Sequence, residues 1–153
     1  VNCGVVAERL PQGVTAADVG TGAGLPGLVW AIMRPDVSMT LVEPLLRRTT
    51  FLEEVVAELE LQNVVVLRGR AEEVTETFDV VTARAVAALD KLAKWCMPLV
   101  APGGVLLALK GRTAQEELTA ARRTLGRLGA SDSVIRTYGA IDIPTTVVEV
   151  SKA

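Results

Sequence analysis

Three glycines at alternate positions, Gly20, Gly22 and Gly24, directly follow a short apolar segment that ends at Val19. Glycine adopts positive φ without strain and lets the backbone approach a ligand that a Cβ would block. The apolar residues from Gly27 onward predict a helix. Its N-terminus would offer free N–H groups and a positive dipole end to an anion. The segment therefore predicts a turn that binds a carboxylate or a phosphate of a ligand.

Two carboxylates accompany this turn. Asp18 lies directly before it, and Glu43 lies about 20 residues further along, at the end of the next apolar segment. A carboxylate in the position of Glu43 suits the two hydroxyls of a ribose, and its alternative is a solvated side chain. The run from Gly22 to Gly27 also matches G-x-G-x-x-G, so a nicotinamide oxidoreductase stays open. Asp18 favours S-adenosylmethionine over a dinucleotide, and so does the antiparallel end of the predicted sheet.

The chain contains no histidine. This removes Ser-His-Asp and Cys-His nucleophile systems, histidine-based zinc sites and histidine general bases from the chain. The two cysteines, Cys3 and Cys96, match no metal-binding or redox spacing, and we expect reduced thiols with Cys96 in the core. Chemistry must therefore come from carboxylates, cations, backbone groups or a cofactor, and we expect no metal.

Strands and helices alternate along the chain, and this alternation positions the residues above. We predict strands at residues 14–19, 39–42, 64–67, 78–82, 105–109, 134–138 and 145–150, and helices at residues 27–33, 45–61, 89–99 and 113–128. The pattern indicates a Rossmann-like α/β fold with a mostly parallel seven-stranded sheet and helices on both faces. No helix separates the last two strands, so they should pair antiparallel at one edge.

Three local predictions bear on the site. Thr113 and Glu116 match a capping box at the start of the last helix. Trp30 and Trp95 are expected in the core, which leaves few aromatic rings for stacking on nucleic acid. The spacing within residues 45–61 predicts an apolar helix face formed by Leu45, Leu46, Leu52, Val55, Val56 and Leu59.

The composition is that of one globular domain over residues 1–153. Half of the residues are hydrophobic and 22% are charged, which excludes a disordered chain. The apolar runs are too short for a membrane span and the N-terminus has no signal pattern, so we expect a cytoplasmic protein that binds no membrane. The net charge of −2 argues against a generic nucleic-acid coat protein but permits a local basic face.

Short segments across nearly the whole chain carry a family resemblance. They are residues 18–27 (Asp-Val-Gly-Thr-Gly-Ala-Gly-Leu-Pro-Gly), Phe51-Leu52 after Arg47-Arg48, Arg70-Ala71-Glu72-Glu73, Arg84-Ala85 after Phe78-Asp79, Trp95-Cys96, and Ala108-Leu109-Lys110-Gly111. In this order they resemble the RsmG family, also called GidB, whose bacterial members methylate N7 of a guanine in 16S ribosomal RNA. The ordered set is specific, whereas the glycine turn alone is not.

The resemblance implies a class I methyltransferase fold, S-adenosylmethionine as the cofactor, and 16S ribosomal RNA or the small ribosomal subunit as the partner. By position, it implies that Gly20 and Leu25 line the cofactor site. It also implies that Ala71 and Glu72 lie against the adenine end and that Arg84 belongs to the site. Together with the residues argued above, the predicted cofactor-binding set is Asp18, Gly20, Gly22, Gly24, Leu25, Glu43, Ala71, Glu72 and Arg84.

Cations at the predicted strand ends would face the RNA. The predicted RNA-binding residues are Arg84, Lys110 and Arg112, and a wider basic rim would include Arg47, Arg48, Arg68 and Arg70. The alternative for each is a solvated surface cation, for Arg84 an ion pair with Asp79 or Glu72, and for Glu72 and Glu73 a solvated turn.

Methylation at N7 requires no general base, because this ring nitrogen has a free lone pair and no proton to lose. We therefore predict positioning groups and no single catalytic residue. Family members carry a helical N-terminal region before this core, and Val1 is expected to lie within its last helix. A chain that binds the cofactor without methylating RNA is accordingly an alternative.

Overall fold

The computed structural model describes residues 6–84, 88–110, 113–138 and 145–153. The strands are β1 (Thr15–Val19), β2 (Ser38–Glu43), β3 (Val64–Arg68), β4 (Phe78–Arg84), β5 (Val100–Lys110), β6 (Ala130–Tyr138) and β7 (Thr145–Lys152). The helices are α1 (Gly27–Met33), α2 (Leu46–Glu58), α3 (Leu89–Cys96) and α4 (Ala114–Arg127). Short 3-10 turns occur at Ala71–Glu73 and Met97–Leu99.

The strands form one seven-stranded sheet in the order β3-β2-β1-β4-β5-β7-β6. Neighbours pair in parallel from β3 to β5, and β7 pairs antiparallel with both β5 and β6. The predicted mixed sheet is confirmed, with the antiparallel strand lying just inside the edge strand β6. The chain runs from β1 to β2 and β3 on one side of β1 and then crosses back to β4 on its other side. The carboxyl end of β1 is therefore the switch point where ligands bind in such sheets.

Two hydrophobic clusters cover the two faces of the sheet. Helices α3 and α4 pack on one face, while α1, α2 and residues 6–10 pack on the other. Cys96 is a free, fully buried thiol, as predicted, and burial raises its pKa to about 12. Cys3 lies outside the described residues. No helix in the described part of the chain is long and apolar enough to cross a membrane.

The two tryptophans have opposite environments. Trp30 is fully buried in α1, as predicted, whereas Trp95 is 46% exposed, so the prediction of a core position for Trp95 is wrong. Helix α3 turns Leu89, Leu92, Ala93 and Cys96 toward the core. Residue 95 falls outside this i, i+3, i+4, i+7 stripe, which is why its ring remains accessible.

The predicted apolar face of α2 is only partly buried. Leu52 is fully buried and Val55 and Val56 are half-buried, whereas Leu45, Leu46 and Leu59 are about half exposed. Leu45 and Leu59 are the cap residues of α2. The exposed leucines therefore lie at the two ends of the helix, and the contact with the sheet is confined to its middle turns.

The start of β5 differs from the sequence prediction for an identifiable reason. Strand β5 begins at Val100 and runs through Pro102-Gly103-Gly104, with a register shift against β4 between Phe78 and Val80. A Cβ on Gly104 would lie 2.6 Å from the Asp79 carbonyl oxygen, so this approach of the two strands requires glycine. A segment of one proline and two glycines is compatible with such an irregular strand, although its sequence predicts a turn.

The capping box predicted from Thr113 and Glu116 is wrong. Thr113 is the N-cap residue of α4 but makes no side-chain capping hydrogen bond. Its hydroxyl instead donates to Glu117 Oε2 at 2.8 Å. Glu117 also contacts Lys110 of β5 and the Leu89 amide at the start of α3. A local sequence pattern does not reveal contacts of this kind.

Candidate functional site

The glycine turn has the backbone that its sequence predicts. Gly20, Gly22 and Gly24 have φ values of 68°, 60° and 98°. A Cβ on Gly24 would clash with Leu28, and a Cβ on Gly20 would enter open space. Gly24 is therefore needed for packing and Gly20 leaves room beside the switch point. Leu25 follows within the same turn.

Asp18 organises the turn from inside the protein. It is fully buried, and its Oδ2 accepts hydrogen bonds from Thr21 Oγ1 at 2.7 Å and from the Gly27 amide at 2.8 Å. One carboxylate thus joins the end of β1, the turn and the first residue of α1. Its Oδ1 has no partner among the described residues. Burial raises the pKa of Asp18 to about 7, against the opposing effects of Thr21, Gly27 and the charge of Arg84.

Glu43 fixes the other side of the turn. It is 2% exposed, so it is not the solvated carboxylate of the alternative interpretation. Its Oε1 accepts from the Gly22 amide at 3.0 Å and its Oε2 from the Leu45 amide at 2.9 Å. The partly exposed Arg48 approaches Oε1 with its Nη1 at 3.8 Å. Glu43 therefore connects the end of β2 with the glycine turn and the start of α2.

A cavity of about 320 Å³ opens at the carboxyl ends of β1, β2 and β3. It is lined by Val19, Gly20, Val42, Pro44, Gly69, Arg70, Ala71, Glu72 and Trp95. Of the predicted cofactor-binding residues, the cavity brings together Gly20, Ala71 and Glu72. The remaining six, Asp18, Gly22, Gly24, Leu25, Glu43 and Arg84, are not among the residues that line it.

The segment after β3 is shaped to present Glu72. Glu73 Oε1 accepts from the Arg70 amide at 2.9 Å, and the Gly69 amide donates to the Glu43 carbonyl oxygen at 3.1 Å. Ala71 is buried, whereas Glu72 is exposed. Glu73 thus stabilises the 3-10 turn and Glu72 remains accessible at the cavity.

Sequence reasoning did not assign Val19, Val42, Pro44, Gly69 or Trp95 to the site, and it placed Trp95 in the core. The pair Trp95-Cys96 contributed to the family resemblance, but the ring was assigned to the core. The available signal was the helical spacing of α3, which buries Leu92, Ala93 and Cys96 and leaves position 95 beside that face.

The cations predicted to bind RNA have different surroundings. Arg84 is exposed at the end of β4. The side chain of Lys110 is 5% exposed, and its Nζ lies 2.6 Å from Glu117 Oε1 in an ion pair. Glu117 Oε1 also accepts from the Leu89 amide at 3.2 Å, and these contacts hold the pKa of Glu117 low despite its partial burial. The geometry thus makes Glu117 of α4 the link between β5 and α3, with Lys110 as its partner on β5. Arg112 lies outside the described residues.

The exposed basic rim follows the same edge of the sheet. Arg47 and Arg48 are exposed at the start of α2, and Arg68 and Arg70 are exposed at and after the end of β3. The described residues contain no group of three or more cysteine, aspartate or glutamate side chains that could hold a metal ion. The cavity is therefore bordered by exposed arginines, which are side chains suited to phosphates.

Three larger depressions lie away from these strand ends. One of about 630 Å³ lies between the second half of α2 and β3, one of about 420 Å³ lies between the end of α1 and residues 60–63, and one of about 410 Å³ lies beside residues 6–14 and the start of β5. Ligands of open α/β sheets bind outside the carboxyl ends of the strands at the switch point. We therefore take the smaller cavity beside Gly20 as the functional one.

The fold and the site define the class of protein. A methyltransferase from Pyrococcus furiosus superposes with a TM-score of 0.79 and 16% identity, covering 97% of this chain and 80% of that one. An S-adenosylmethionine-dependent methyltransferase from Methanococcus maripaludis, itself described as putative, gives a TM-score of 0.76 and 15% identity, covering 98% and 84%. At these identities the likeness concerns the fold alone, which is the Rossmann-like fold of S-adenosylmethionine-dependent methyltransferases.

Sequence comparison gives the family. The family model for GidB, rRNA small subunit methyltransferase G, matches residues 1–142. Proteins named ribosomal RNA small subunit methyltransferase G are 54% identical in Salinispora tropica, 56% in Streptomyces coelicolor and 44% in Corynebacterium glutamicum, over 99%, 91% and 99% of this chain. The chain covers 67%, 59% and 71% of their respective lengths. It belongs to the rRNA small subunit methyltransferase G family.

Family membership confirms the resemblance read from the ordered segments. It also decides against the nicotinamide oxidoreductase that the G-x-G-x-x-G match left open, because the family is one of methyltransferases. The glycine pattern could not separate the two classes, since both bind a nucleoside at the same switch point.

Proposed function

We propose that this chain binds S-adenosylmethionine and transfers its methyl group to N7 of a guanine in 16S ribosomal RNA. The observation that carries the proposal is the cavity beside Gly20, Ala71 and Glu72 at the switch point of a chain from this family. The acceptor is the free RNA or the small ribosomal subunit, and the reaction takes place in the cytoplasm of a bacterium.

The cavity suits the cofactor in shape and polarity. Apolar side chains, including Val19, Val42 and Pro44, offer a surface for a flat base, and the exposed carboxylate of Glu72 can accept from a polar edge. Gly20 leaves its ligand-facing side open. Glu43 lies under the turn, with both oxygens already accepting backbone amides. We propose that it retains lone pairs for ribose hydroxyls.

The remaining predicted residues have supporting roles in this proposal. Asp18, Gly22, Gly24 and Leu25 shape the turn, and Arg84 contributes positive charge at the neighbouring strand end. Asp18 acts through its bonds to Thr21 and Gly27 rather than through contact with the open cavity. Residues that hold a ligand-binding backbone in place in this way restrict its freedom before the ligand arrives.

The chemistry asks little of the protein beyond positioning. S-adenosylmethionine supplies a methyl group on a sulfonium that is already activated for transfer. Guanine N7 has a lone pair and no proton, so a chain without histidine needs no substitute base. The protein has to hold N7 in line with the methyl group at near-attack distance. We therefore expect losses of activity to be spread over several positioning residues.

Contact with the RNA is proposed for Arg84, Lys110 and Arg112, with the rim of Arg47, Arg48, Arg68 and Arg70 beside them. The exposed arginines of the rim can bind phosphates directly. For Lys110 the ion pair with Glu117 has to be exchanged or shared before Nζ reaches a phosphate. The rim arginines are accordingly the better supported part of the proposed surface.

A methyl-transfer assay tests the proposal. The chain is incubated with labelled S-adenosylmethionine and small ribosomal subunits that lack the modification, and the modified nucleotide is mapped. The expected result is incorporation at N7 of one guanine, with fully modified subunits as the control that takes up no label. Cofactor binding without any transfer would overturn the proposed reaction and support the alternative of a cofactor-binding chain without activity.

A further inference from the structure

Trp95 stands out among the large apolar side chains of this protein. Its ring is 46% exposed and lies in the wall of the cavity that contains Gly20, Ala71 and Glu72. The second tryptophan, Trp30, is fully buried. Several other exposed apolar residues lie at helix ends or on the outer surface of α2, whereas Trp95 faces a defined concave site.

A half-exposed indole beside a cavity has a physical cost that a ligand can remove. Each Å² of apolar surface that becomes buried contributes roughly 25 cal/mol of stabilising free energy, and an exposed ring lacks this contribution. Helix α3 already buries Leu92, Ala93 and Cys96 against the sheet, so its packing does not need the ring of Trp95. The ring can therefore contact a bound molecule without any loss of packing between α3 and the sheet.

The surroundings of Trp95 select the chemistry of that molecule. Val42, Pro44 and Ala71 make most of this wall apolar, and the exposed Arg70 and Glu72 add one guanidinium and one carboxylate at the margin. A flat aromatic base has two apolar faces and a polar edge of donors and acceptors. Stacking on an indole together with one carboxylate contact matches such a base better than it matches an aliphatic or phosphate group.

We propose that Trp95 is a cofactor-contacting residue that packs against the adenine base of S-adenosylmethionine in the cavity beside Ala71 and Glu72. This inference rests on the proposed function, because it assigns a wall to the adenine subsite of the same cofactor. It adds an aromatic contact from α3 to residues otherwise drawn from the ends of β1, β2 and β3.

Binding measurements on matched variants test the contact. Calorimetric titration with S-adenosylhomocysteine compares the unchanged protein with Trp95→Ala, Trp95→Phe and Phe51→Ala. Aromatic stacking on a base is worth about 5- to 150-fold in affinity, so Trp95→Ala should weaken binding within that range and Trp95→Phe should retain most of it. Phe51 is 48% exposed but does not line the cavity, so Phe51→Ala is the control that leaves the affinity unchanged.

The two tryptophans also supply a spectroscopic measurement that needs no truncation of the core. In the unchanged protein, acrylamide should quench the accessible Trp95 and spare the buried Trp30. Saturation with S-adenosylhomocysteine or adenosine should protect the quenchable fraction, and methionine should not. Trp95→Phe should lose the ligand-dependent part of the signal while calorimetry still detects binding.

The outcomes separate this inference from the function on which it rests. Equal affinities for Trp95→Ala and the unchanged protein, or a ligand-dependent signal that persists in Trp95→Phe, would overturn the role of Trp95 alone. Absence of any S-adenosylhomocysteine binding by the unchanged, folded protein would overturn both the cofactor proposal and this one. Protection of Trp95 from quenching by methionine but not by adenosine would place the methionine end of the cofactor, and not the adenine, at Trp95. This result would also overturn the inference.

Discussion

A single buried carboxylate, Asp18, holds together the three pieces that make the glycine turn. It accepts one hydrogen bond from Thr21 and one from Gly27, and its other oxygen has no partner among the described residues. Burial raises its pKa from 3.8 to about 7. The folded protein therefore binds a proton at this site more tightly than the unfolded chain does, so stability should depend on pH through this residue.

Asp18→Asn should remove that pH dependence. Since the folded pKa is the higher one, the stabilising proton is fully present below about pH 4. The stability contributed by Asp18 then falls as pH rises to about 7, by at most about 4 kcal/mol. Asparagine retains an acceptor and does not ionise, so the variant should gain stability relative to the unchanged protein across this interval. Urea unfolding of both proteins at several pH values measures the difference, and a difference independent of pH would contradict the assigned pKa.

Gly22→Val should abolish cofactor binding, chiefly because of the backbone. The residue nearest to an added Cβ is Arg48, at 3.8 Å, so space is available, but φ is +60°. A β-branched residue there costs about 1–3 kcal/mol or forces the turn to move, which would break the bond from the Gly22 amide to Glu43. Gly126→Val on the exposed surface of α4 is the matched control. Calorimetry with S-adenosylhomocysteine should detect binding for the control only, and unchanged affinity in Gly22→Val would refute the assignment of the turn.

At the scale of elements, Arg34 connects residues 6–13 to α1. Its Nη1 donates to the carbonyl oxygens of Ala7 at 2.9 Å and Leu10 at 2.7 Å, and its Nη2 reaches the Pro11 carbonyl oxygen. Asp36 pairs with the same guanidinium at 2.8 Å. Nothing in the sequence pattern identifies this arginine as structural, because its acceptors are backbone groups more than twenty positions away.

Arg34→Ala should release residues 6–13 from the sheet. Three carbonyl oxygens would lose their donor, and Asp36 would lose the partner that holds its pKa well below the usual range. Limited proteolysis and hydrogen exchange should show earlier cleavage and faster exchange in this segment. Arg123→Ala, which removes an exposed arginine from α4, is the control. Equal protection of this segment in the two variants would show that the Arg34 hydrogen bonds do not hold it in place.

Much of the element order was predictable, and the reasons for the exceptions are local. The alternation of apolar strands with helical periodicity predicted the parallel sheet, and the glycines located the switch point. The prediction failed at β5, where irregular pairing with β4 extends the strand through Pro102-Gly103-Gly104. It also failed at Trp95, where a large apolar residue was assigned to the core without regard to the face of α3 on which it lies. Lys110 appears as a surface cation in sequence, because its partner Glu117 belongs to another element.

At the scale of the whole molecule, charge is unevenly distributed. The net charge is −2, yet exposed arginines gather at the carboxyl edge of the sheet, while Glu53, Glu54, Glu58 and Glu60 are exposed on and just after the second half of α2. Exposed arginines also lie on α4, at Arg122, Arg123 and Arg127, whereas the group at the carboxyl edge adjoins the cavity and can hold a polyanion beside it.

Arg47→Ala with Arg68→Ala should therefore weaken binding to small ribosomal subunits and reduce its salt dependence. Each lost phosphate contact should lower the slope of log affinity against log salt by about 0.7 to 0.9. The exposed Arg123 lies on α4 and not on the rim, so Arg123→Ala should keep the original slope. Binding to small ribosomal subunits measured over a series of salt concentrations gives the slope for each variant. Identical slopes of log affinity against log salt for all variants would exclude Arg47 and Arg68 from the RNA surface.

The carboxylate of Glu117 has a consequence for how this protein can change over evolutionary time. It satisfies the ammonium of Lys110, the hydroxyl of Thr113 and the amide of Leu89. Loss of one charged partner leaves the other buried and uncompensated, whereas joint replacement by apolar residues of similar volume can be neutral. Positions 110 and 117 are therefore expected to change together rather than singly, and only where the Leu89 amide and the Thr113 hydroxyl find another acceptor. A lineage that altered one without the other would disturb the start of α3, the helix that carries Trp95.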